Sequence, residues 1–567
     1  MADAVSSIGS SAKGVINEAF RGKEPWQIVA TTSATVLATV WLYNFIFDDE
    51  EGIPSRVKKT AMRIARLVPA VRRKIEHETR RLDEGFENQM KKMTEGMPHV
   101  TSLPAEGMAH EDILALIERC VHSSDYNWKT GRVSGCVYKS SDPKQDDVMA
   151  EVFRLTSATN PLHADVFPGV CKLEAEVVRI ACKLFNGDDD CCGTMTSGGT
   201  ESILMAVKAC RDYAREAKGI RRPEIVMPVT AHAAFDKAAQ YFKIRVRTVP
   251  VHPETYTVDL NAMRRAIGRN TIMLVGSAPN FPYGTMDDIG SISRLGLLHK
   301  VPVHVDACLG GFLVCFMRKA GFQLPDFDFK LPGVTSISAD THKYGYAPKG
   351  SSVVLYRSKE LRHHQFVISP DWPGGIYGSP TVNGSRAGSS IATCWATLMS
   401  YGERGYVEAT RKVIDTTRFI EKELREIEGI YVLGKPATSV VAFSSRHFHI
   451  YTLSQQLNKR GWNLNSLQFP NAVHMCVTLA HTQPGIADTF VKDVREEVLT
   501  LLEIPPEPIH GMYAVYGMSQ GVADRSVVED ITKCFLDSLY YTPRDKQPEE
   551  KQSTETASVA SAAADGL

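Results

Sequence analysis

The sequence predicts an α/β protein. A large domain with a mainly parallel sheet is followed by a smaller α+β domain and preceded by one membrane-spanning helix. Short β-rich runs alternate with helical stretches between about residues 170 and 356, and such alternation is typical of parallel sheets. A helical stretch that starts near residue 391 leads into a region of mixed elements. An uncharged run occupies residues 25–47.

The uncharged run reads PWQIVATTSATVLATVWLYNFIF. At about 1.5 Å per residue, a helix of this length crosses a hydrocarbon core of about 30 Å. Trp26 near one end and Trp41 and Tyr43 near the other suit the membrane interfaces. Its many Thr and Ser residues make the run only moderately hydrophobic. A buried core helix is therefore one alternative, and a cleaved signal peptide is another.

Basic residues after this run set its predicted direction. They are Arg56, Lys58, Lys59, Arg63, Arg66, Arg72, Arg73 and Lys74. Because an excess of Lys and Arg marks the cytosolic side, we expect residues 1–24 to form a short lumenal tail and residues 48–105 a basic cytosolic stalk. The stalk can also contact anionic lipid head groups, and a solvated helix face is a compatible alternative.

Composition limits the classes of function. The 567 residues include 65 basic and 65 acidic side chains, so no overall field attracts nucleic acid. The 12 cysteines show no C-x-x-C spacing. That spacing pattern disfavours a zinc site or a disulfide framework and fits a reducing compartment. No metal site is predicted.

The remaining chain is predicted to form four segments. Residues 106–165 are an N-terminal segment, residues 166–390 the large domain and residues 391–541 the small domain. Residues 542–567 are rich in Ser, Ala, Thr, Lys and Glu without aromatic residues, which predicts a disordered tail.

Strands and helices of these domains follow from local patterns. Apolar spacing predicts helices over residues 171–185 and 406–427. The predicted strands are residues 224–229, 243–251, 271–278, 301–307, 334–339 and 351–356. The last two strands are close enough in sequence to form a hairpin, so one strand of the sheet can be antiparallel.

Ligands of open α/β sheets bind at the carboxyl ends of the strands, and three unusual segments fall there. The first, TSGGTESILMA (196–206), places a glycine pair and Thr200 at a helix start. Backbone N–H groups at a helix start favour an anion, and glycines let it approach closely. A phosphate is the expected guest, and a tight turn with a helix cap is the alternative. The segment is not G-x-x-x-x-G-K-[ST], which disfavours nucleoside triphosphates.

The second and third segments supply an acid and an amine. In VPVHVDACLGG (301–311), Asp306 ends an apolar strand, where a carboxylate needs a cationic partner such as a protonated ring nitrogen, unless it caps the next helix. In SADTHKYGYAPKG (338–350), Lys343 lies beyond a strand, and a desolvated lysine amine condenses with carbonyls. A solvated lysine is the alternative. Together the three segments indicate pyridoxal phosphate as the cofactor.

These segments resemble those of fold-type-I pyridoxal-phosphate enzymes, in the group that includes amino-acid decarboxylases. Three more segments narrow the resemblance to the sphingosine-1-phosphate lyase family: NPLHADVFPGVCKLEAEVV (160–178), AHAAFDKAA (231–239) and YGSPTVNGSRAG (377–388). The similarity runs from about residue 25 to about residue 540. It implies that the mainly parallel sheet of the large domain has seven strands.

The resemblance implies a role for each matching residue. The implied cofactor-binding residues are Gly199, Thr200, His232, Asp306, His342 and Lys343. Lys343, the catalytic residue, forms a covalent imine with the cofactor, Asp306 pairs with its pyridine nitrogen, and His232 stacks on its ring. Gly199 and Thr200 hold its phosphate, with His342 nearby. A structural histidine is the alternative for His232.

The implied activity is retro-aldol cleavage of a phosphorylated sphingoid base, such as sphingosine 1-phosphate, into a long-chain aldehyde and phosphoethanolamine. Lys349 is the first candidate for binding the substrate phosphate, and by resemblance Tyr138, Asn160 and His163 join it. For Tyr138 a packed aromatic ring is the alternative. An amino-acid decarboxylase of the same fold is the alternative activity, and a non-catalytic membrane scaffold is a rival of another class.

The resemblance extends to partners and location. It implies a homodimer whose active site lies at the subunit interface. It also implies a single-pass protein of the endoplasmic reticulum membrane with a lumenal N-terminus and a cytosolic catalytic domain.

Overall fold

The computed structural model describes residues 17–18, 20–47, 53–139, 142–503 and 525–543. The chain forms two compact units, which are Met1–Met62 with Tyr126–Gly521 and Arg63–Asp125 with Val522–Leu567. The predicted disordered tail lies outside the described residues except for residues 542–543. The predicted domain boundaries stay a prediction.

Helices make up most of the regular structure. In the N-terminal part they are α1 (Pro25–Phe47), α2 (Ile53–Arg66), α3 (Pro69–Met93), α4 (His110–Val121), α5 (Pro143–Thr156) and α6 (Pro168–Leu184). In the middle they are α7 (Gly199–Lys218), α8 (Ala234–Phe242), α9 (Leu260–Ala266), α10 (Ile289–His299), α11 (Gly311–Met317) and α12 (Lys359–His363). The last are α13 (Gly388–Arg425), α14 (Ile450–Lys459), α15 (Ile486–Glu503) and α16 (Arg525–Ser538).

Seven strands form the large sheet. They are β1 (Cys192–Thr196), β2 (Glu224–Pro228), β3 (Arg245–Val249), β4 (Thr271–Ser277), β5 (Val303–Asp306), β6 (Val334–Ala339) and β7 (Ser352–Tyr356), in the order β1-β7-β6-β5-β4-β2-β3. Neighbours from β3 to β6 are parallel, whereas β7 is antiparallel to both β6 and β1. The six strands predicted from the sequence and the antiparallel hairpin are thereby confirmed, and β1 is an addition.

Burial on both faces explains the strand sequences. Every residue of β4, TIMLVGS, is buried, as expected for a strand covered by helices on each side. β1 is also buried throughout but contains only one large apolar residue, Met195. Its Gly193 faces the backbone of Val354 on β7, where a Cβ atom has no room. This close approach accounts for a strand whose composition gives little β signal.

A second sheet follows the long helix α13, which kinks at Gly402, a residue with a φ of 56°. Its strands are β10 (Ile430–Val432), β11 (Val440–Ser445), β12 (Asn465–Leu467) and β13 (Ala472–Cys476), paired antiparallel in the order β10-β11-β13-β12. Trp462 is fully buried beneath it and donates its indole N–H to Asp493 at 2.7 Å. Between the two sheets in sequence, β8 (Val367–Ser369) and β9 (Tyr377–Ser379) form a short hairpin.

The other unit is helical where it is described. α3 packs against α16 through Phe86 and Phe535, whose ring centroids lie 5.6 Å apart. Arg66 adds an ion pair to Asp530 at 2.9 Å. The predicted stalk is thus held by the far C-terminal helix, a contact that sequence spacing did not indicate.

Residues 25–47 form one helix, α1, as predicted. Among the described helices, however, none is both long enough and apolar enough to cross a membrane. The prediction of a membrane-spanning helix is therefore not supported. Composition gives the physical reason, since Thr residues such as Thr35 and Thr39 dilute the apolar side chains and turn their hydroxyls back onto carbonyls of the same helix at 2.8 Å.

We expect the ion pair between Glu174 and Arg386 to stabilise the large domain. Arg386 donates two hydrogen bonds to Glu174 at 2.6 and 2.8 Å, and both side chains are largely buried. Glu174→Ala leaves a buried guanidinium unpaired, which costs about 3–5 kcal/mol of unfolding free energy. Urea unfolding followed by tryptophan fluorescence measures this loss. The exposed pair Arg154–Glu151 supplies the control, because Glu151→Ala leaves the midpoint unchanged. Equal midpoints for both variants would contradict the expectation.

Candidate active site

The carboxyl ends of the sheet strands border a cavity of about 390 Å³. Its walls come from the segments that follow β1, β2, β5 and β6, as expected for an open α/β sheet. The lining residues are Ser197, Gly198, Gly199, Thr200, Glu201, Ile203, His232, Cys308, Asp340, His342 and Lys343. Five of the six residues predicted to bind the cofactor are therefore brought together here, and Asp306 lies at the end of β5 just before Cys308.

The start of α7 forms one wall. The helix begins at Gly199, so the N–H groups of its first turn have no partner inside the helix. A Cβ atom on Gly199 would lie 2.8 Å from both Asp340 Oδ1 and Cys308 Sγ, so only glycine fits. Glu201 fixes the preceding turn, since it accepts hydrogen bonds from the N–H and the hydroxyl of Ser197 at 2.7 and 2.6 Å. The wall can bind a phosphate without any basic side chain.

Lys343 forms an ion pair inside the cavity. Its Nζ lies 2.9 Å from Asp340 Oδ2, and the side chain is only 23% exposed. Burial is the largest single influence and lowers the pKa of this amine, but the charge and hydrogen bond of Asp340, together with the nearby Cys308 and Asp306, outweigh it, and the net pKa is raised. Lys343 is therefore not a solvated surface lysine, which was the alternative left open by the sequence.

Asp340 is the residue that sequence reasoning missed. Its Oδ2 also lies 3.6 Å from His342 Nε2, while burial lowers the pKa of that imidazole. Within the described residues, Asp340 Oδ1 and His342 Nδ1 are buried without a hydrogen-bond partner. The available signal was an acid directly after a buried strand and three residues before the lysine.

Asp306 is buried at the end of β5. Its Oδ1 accepts a hydrogen bond from the Cys308 N–H at 3.0 Å and lies 3.5 Å from the Ser338 hydroxyl. It is also near enough for its charge to raise the pKa of Lys343. The bond to Cys308 matches the capping alternative in part, and the position near Lys343 matches the ring-nitrogen role.

His232 lies on the loop between β2 and α8 and is exposed on the cavity wall. Its Nδ1 accepts a hydrogen bond from the Ala234 N–H at 3.1 Å, which fixes the ring next to the start of α8. An exposed ring at this position can stack on a planar ligand, which a satisfied structural histidine buried in the core could not do.

The predicted substrate-phosphate residues form two groups. Lys349 Nζ lies 5.1 Å from the ring centroid of Tyr138, which itself packs edge-on against Tyr344 at 5.0 Å. Lys349 as a residue is exposed, but its amine is partly desolvated by the surrounding protein, and this desolvation, followed by the nearby positive charge of Lys343, lowers its pKa. Tyr138 is buried, and its hydroxyl lies 3.7 Å from the Cys476 thiol, so the ring is a packed aromatic as the alternative reading proposed.

The second group consists of Asn160 and His163, and Asn160 contacts the loop NGSRAG (383–388). Asn160 donates from Nδ2 to the Ser385 hydroxyl at 3.1 Å and accepts the Arg386 N–H at the same distance. His163 is exposed on the following turn. Within one chain, the structure does not place these two residues in contact with Lys349.

The cavity fits pyridoxal phosphate. Asp340 Oδ1 and His342 Nδ1 are polar atoms without a protein partner, so a bound ligand could form hydrogen bonds with them. Gly199 at the start of α7 has no side chain, which leaves space there for a phosphate. The amine of Lys343 is available for an aldehyde, and a carboxylate at Asp306 suits a ring nitrogen. Each of these groups is a chemical match for a different part of the cofactor.

Comparison with known proteins agrees with a pyridoxal-phosphate site. Residues 97–446 match the pyridoxal-dependent decarboxylase conserved domain. Sphingosine-1-phosphate lyase of Drosophila melanogaster is 56% identical over 94% of this chain and 97% of its own length. Sphingosine-1-phosphate lyase 1 of Rattus norvegicus is 48% identical over 95% of this chain and 94% of its own.

Solved structures give the same result. The sphingosine-1-phosphate lyase of Burkholderia pseudomallei superposes with a TM-score of 0.70 at 41% identity, covering 72% of this chain and 95% of that one. A glutamate decarboxylase of Lactobacillus brevis shares the fold with a TM-score of 0.63 at 20% identity, over 73% of this chain and 97% of that one. The amine-bearing cavity, the matched domain and the full-length relatives lead to one conclusion: this chain belongs to the sphingosine-1-phosphate lyase family of pyridoxal-phosphate-dependent enzymes.

Proposed function

We propose that this chain cleaves phosphorylated sphingoid bases, sphingosine 1-phosphate among them, into a long-chain aldehyde and phosphoethanolamine. The observation that carries the proposal is the pair of lysines on one loop. Lys343 is held by Asp340 inside the cofactor cavity, whereas Lys349, six residues later, is exposed. One amine is placed for carbonyl chemistry and the other for an anionic group of the substrate.

The residues that hold the cofactor follow from the site. The start of α7 with Gly199 and Thr200 would hold its phosphate, His232 would face its ring, and Asp306 would pair with its ring nitrogen. When bound, pyridoxal phosphate supplies an aldehyde that condenses with amines and a ring that accepts an electron pair. The bond that breaks in the substrate joins its amine-bearing carbon to the neighbouring hydroxyl-bearing carbon.

Lys343 has a proton-handling role in addition to binding. Its Nζ must lose a proton to attack a carbonyl, and the raised pKa means that Asp340 opposes this loss in the cofactor-free protein. Once the substrate amine has replaced it, the free Nζ can hold a proton and return it to a reacting carbon.

Lys349 gives the substrate phosphate its first contact. Desolvation and, after it, the neighbouring ammonium group of Lys343 lower the pKa of Lys349, and a phosphate dianion beside Lys349 would oppose both effects. The ring of Tyr138 lies under the ammonium and fixes its position. The alternative, an amino-acid decarboxylase, is supported by the matched decarboxylase domain and by the fold, but the glutamate decarboxylase is only 20% identical, whereas a sphingosine-1-phosphate lyase is 56% identical.

Replacing the two lysines separates their roles. Lys343→Ala abolishes aldehyde formation from sphingosine 1-phosphate and the absorbance of the cofactor imine. Lys349→Ala retains that absorbance, and its KM rises about 10- to 100-fold, the equivalent of one lost charge-assisted hydrogen bond. Lys349→Arg is the matched control, because it keeps the positive charge and recovers most of the affinity. Loss of the cofactor in Lys349→Ala would show that the roles are not divided in this way.

Replacing Asp340 changes the pH dependence of cofactor uptake. Only the neutral amine reacts with an aldehyde, so a raised pKa makes uptake faster as the pH rises. In Asp340→Asn, burial is left to lower the pKa of Lys343, and the uptake profile shifts to lower pH. Stopped-flow absorbance after mixing cofactor with cofactor-free protein measures the profile. Asp326→Asn, which removes an acid outside the cavity, is the control. An identical profile for Asp340→Asn and wild type would disprove the role of the ion pair.

A homodimer is part of the proposal. The β8–β9 hairpin supports it, because this hairpin exposes large apolar side chains. Ile368 is 68%, Trp372 56% and Ile376 84% exposed, and exposed apolar groups of this kind mark interaction surfaces. We propose that a second copy covers the hairpin and completes the phosphate site.

Charged substitutions in the hairpin are expected to weaken that dimer. Ile368→Asp with Ile376→Asp places two carboxylates in the proposed apolar contact, which favours dissociation. Sedimentation velocity over a concentration series measures the shift toward monomer. Val148→Asp, at an exposed site on α5, is the control and leaves the dimer intact. A monomeric wild type would refute the dimer.

Membrane contact and residence at the endoplasmic reticulum also remain proposals. They are supported by the lipid nature of the substrate and by basic side chains of the stalk such as Arg72, Arg73 and Lys74, which are exposed on α3. A single-pass anchor is not part of the proposal. Subcellular fractionation checks the location, and recovery away from that membrane would exclude it.

A further inference from the structure

A line of four polar side chains runs through the buried middle of the large sheet. His304 and Asp306 lie on β5, and Ser336 and Ser338 lie on β6. The parallel register pairs His304 with Ser336 and Asp306 with Ser338. Because alternate residues of a strand share a face, all four side chains lie on one face of the sheet. None is more than 6% exposed, so each polar group needs a partner inside the protein.

Their distances form a continuous chain. Ser336 Oγ lies 2.8 Å from His304 Nδ1, and His304 Nε2 lies 3.1 Å from Ser338 Oγ. Ser338 Oγ in turn lies 3.5 Å from Asp306 Oδ1. This series of hydrogen bonds therefore connects Ser336, through His304 and Ser338, to the carboxylate of Asp306 at the end of β5.

The carboxylate decides the direction of the protons. A carboxylate only accepts hydrogen bonds, so in the 3.5 Å contact between Ser338 and Asp306 the serine hydroxyl is the donor. Ser338 therefore donates to Asp306 and accepts from His304 Nε2–H, which leaves His304 Nδ1 to accept the proton of Ser336. This tautomer is consistent with a neutral ring, since burial lowers the pKa of His304 to about 4.

Neighbouring groups leave this direction unchanged. The thiol of Cys308 also lies within hydrogen-bond reach of Ser338, and burial raises its pKa well above the ordinary value, so it stays a protonated donor. The ring of Phe235 packs edge-on against His304 with centroids 5.8 Å apart. His304 therefore has an apolar wall on one side and the two serines on the other.

We propose that Ser336, His304 and Ser338 form a hydrogen-bond relay that orients Asp306 and sets the charge it presents to the cofactor ring. His304 and Ser338 are then positioning residues, since they act through Asp306. Both described hydrogen bonds fall on Oδ1, so the same side chain can offer Oδ2 to the ring nitrogen. The inference rests on the proposed cofactor role of Asp306.

Removing the relay donor has a defined electronic consequence. A carboxylate that loses a hydrogen bond becomes more basic and draws the shared proton away from the ring nitrogen. A less positive ring raises the pH at which the imine between the cofactor and Lys343 loses its proton. The ring also becomes a weaker electron acceptor, so turnover slows while substrate affinity is unaffected.

Ser338→Ala tests the relay in the holoenzyme, with the absorbance of the bound cofactor titrated against pH. We expect the titration midpoint to rise by about half a pH unit or more, because a hydrogen bond to a charged group contributes on the order of one pKa unit. We expect kcat to fall about 3- to 10-fold with KM within about twofold of wild type, by the same reasoning. His304→Phe shifts the midpoint in the same direction, and His304→Gln, whose amide can still donate to Ser338, recovers part of it.

Thr335→Val is the matched control. Thr335 lies on the same strand, and its hydroxyl donates to the Val303 carbonyl of β5 at 2.9 Å, but its side chain faces the other side of the sheet. The Thr335→Val substitution removes a hydrogen bond between β5 and β6 but leaves the relay residues unchanged. We therefore expect the midpoint of the cofactor absorbance titration to stay at the wild-type value. A midpoint in Ser338→Ala equal to wild type, with cofactor bound, overturns the relay. A wild-type protein that takes up no cofactor instead overturns the proposed function.

Discussion

Lys343 keeps its ammonium group inside the large domain because Asp340 lies 2.9 Å from it. A buried charge without a partner is costly, and this pair makes the placement of a reactive amine in a closed cavity affordable. The pair in turn requires Gly199, because any side chain at that position would collide with Asp340. The start of α7 and the lysine loop are therefore parts of one packed arrangement.

The same sheet carries polar groups where a parallel sheet normally has apolar ones. β5 and β6 contain His304, Ser336 and Ser338 in place of aliphatic residues, all fully buried. Such groups are tolerated only when they satisfy one another, and the parallel register aligns them so that they do. The chain of hydrogen bonds ends at Asp306, which places its stabilising contacts behind the site and leaves the front for a ligand.

Local patterns predict most of this fold, and the exceptions have physical causes. Six strands follow from β-rich runs, but β1 escaped notice because Gly193 is required by close backbone packing and not by β propensity. Lys343 and Gly199 lie in sequence motifs that predict, respectively, a carbonyl-binding amine and a phosphate site. Asp340 does not, since its importance arises from a distance to Lys343 that only the folded loop defines. The membrane-spanning prediction is not supported, because residues 25–47 form a helix of sufficient length whose Thr content lowers its hydropathy.

The spacing of Lys343 and Lys349 depends on the region that follows the long helix. Between them, the Tyr344 hydroxyl contacts the Ser439 hydroxyl and the Val477 carbonyl, each at 2.6 Å. Tyr346 adopts a φ of 58°, a conformation that costs a non-glycine residue about 1–3 kcal/mol and persists only where packing enforces it. Its ring stacks on Tyr401 of α13 with centroids 4.9 Å apart, and this contact can enforce it. The loop therefore turns between its two lysines because two aromatic side chains are clamped from the C-terminal side. That clamp lets one short segment place the Lys343 amine inside the cavity and the Lys349 amine at the exposed end of the loop.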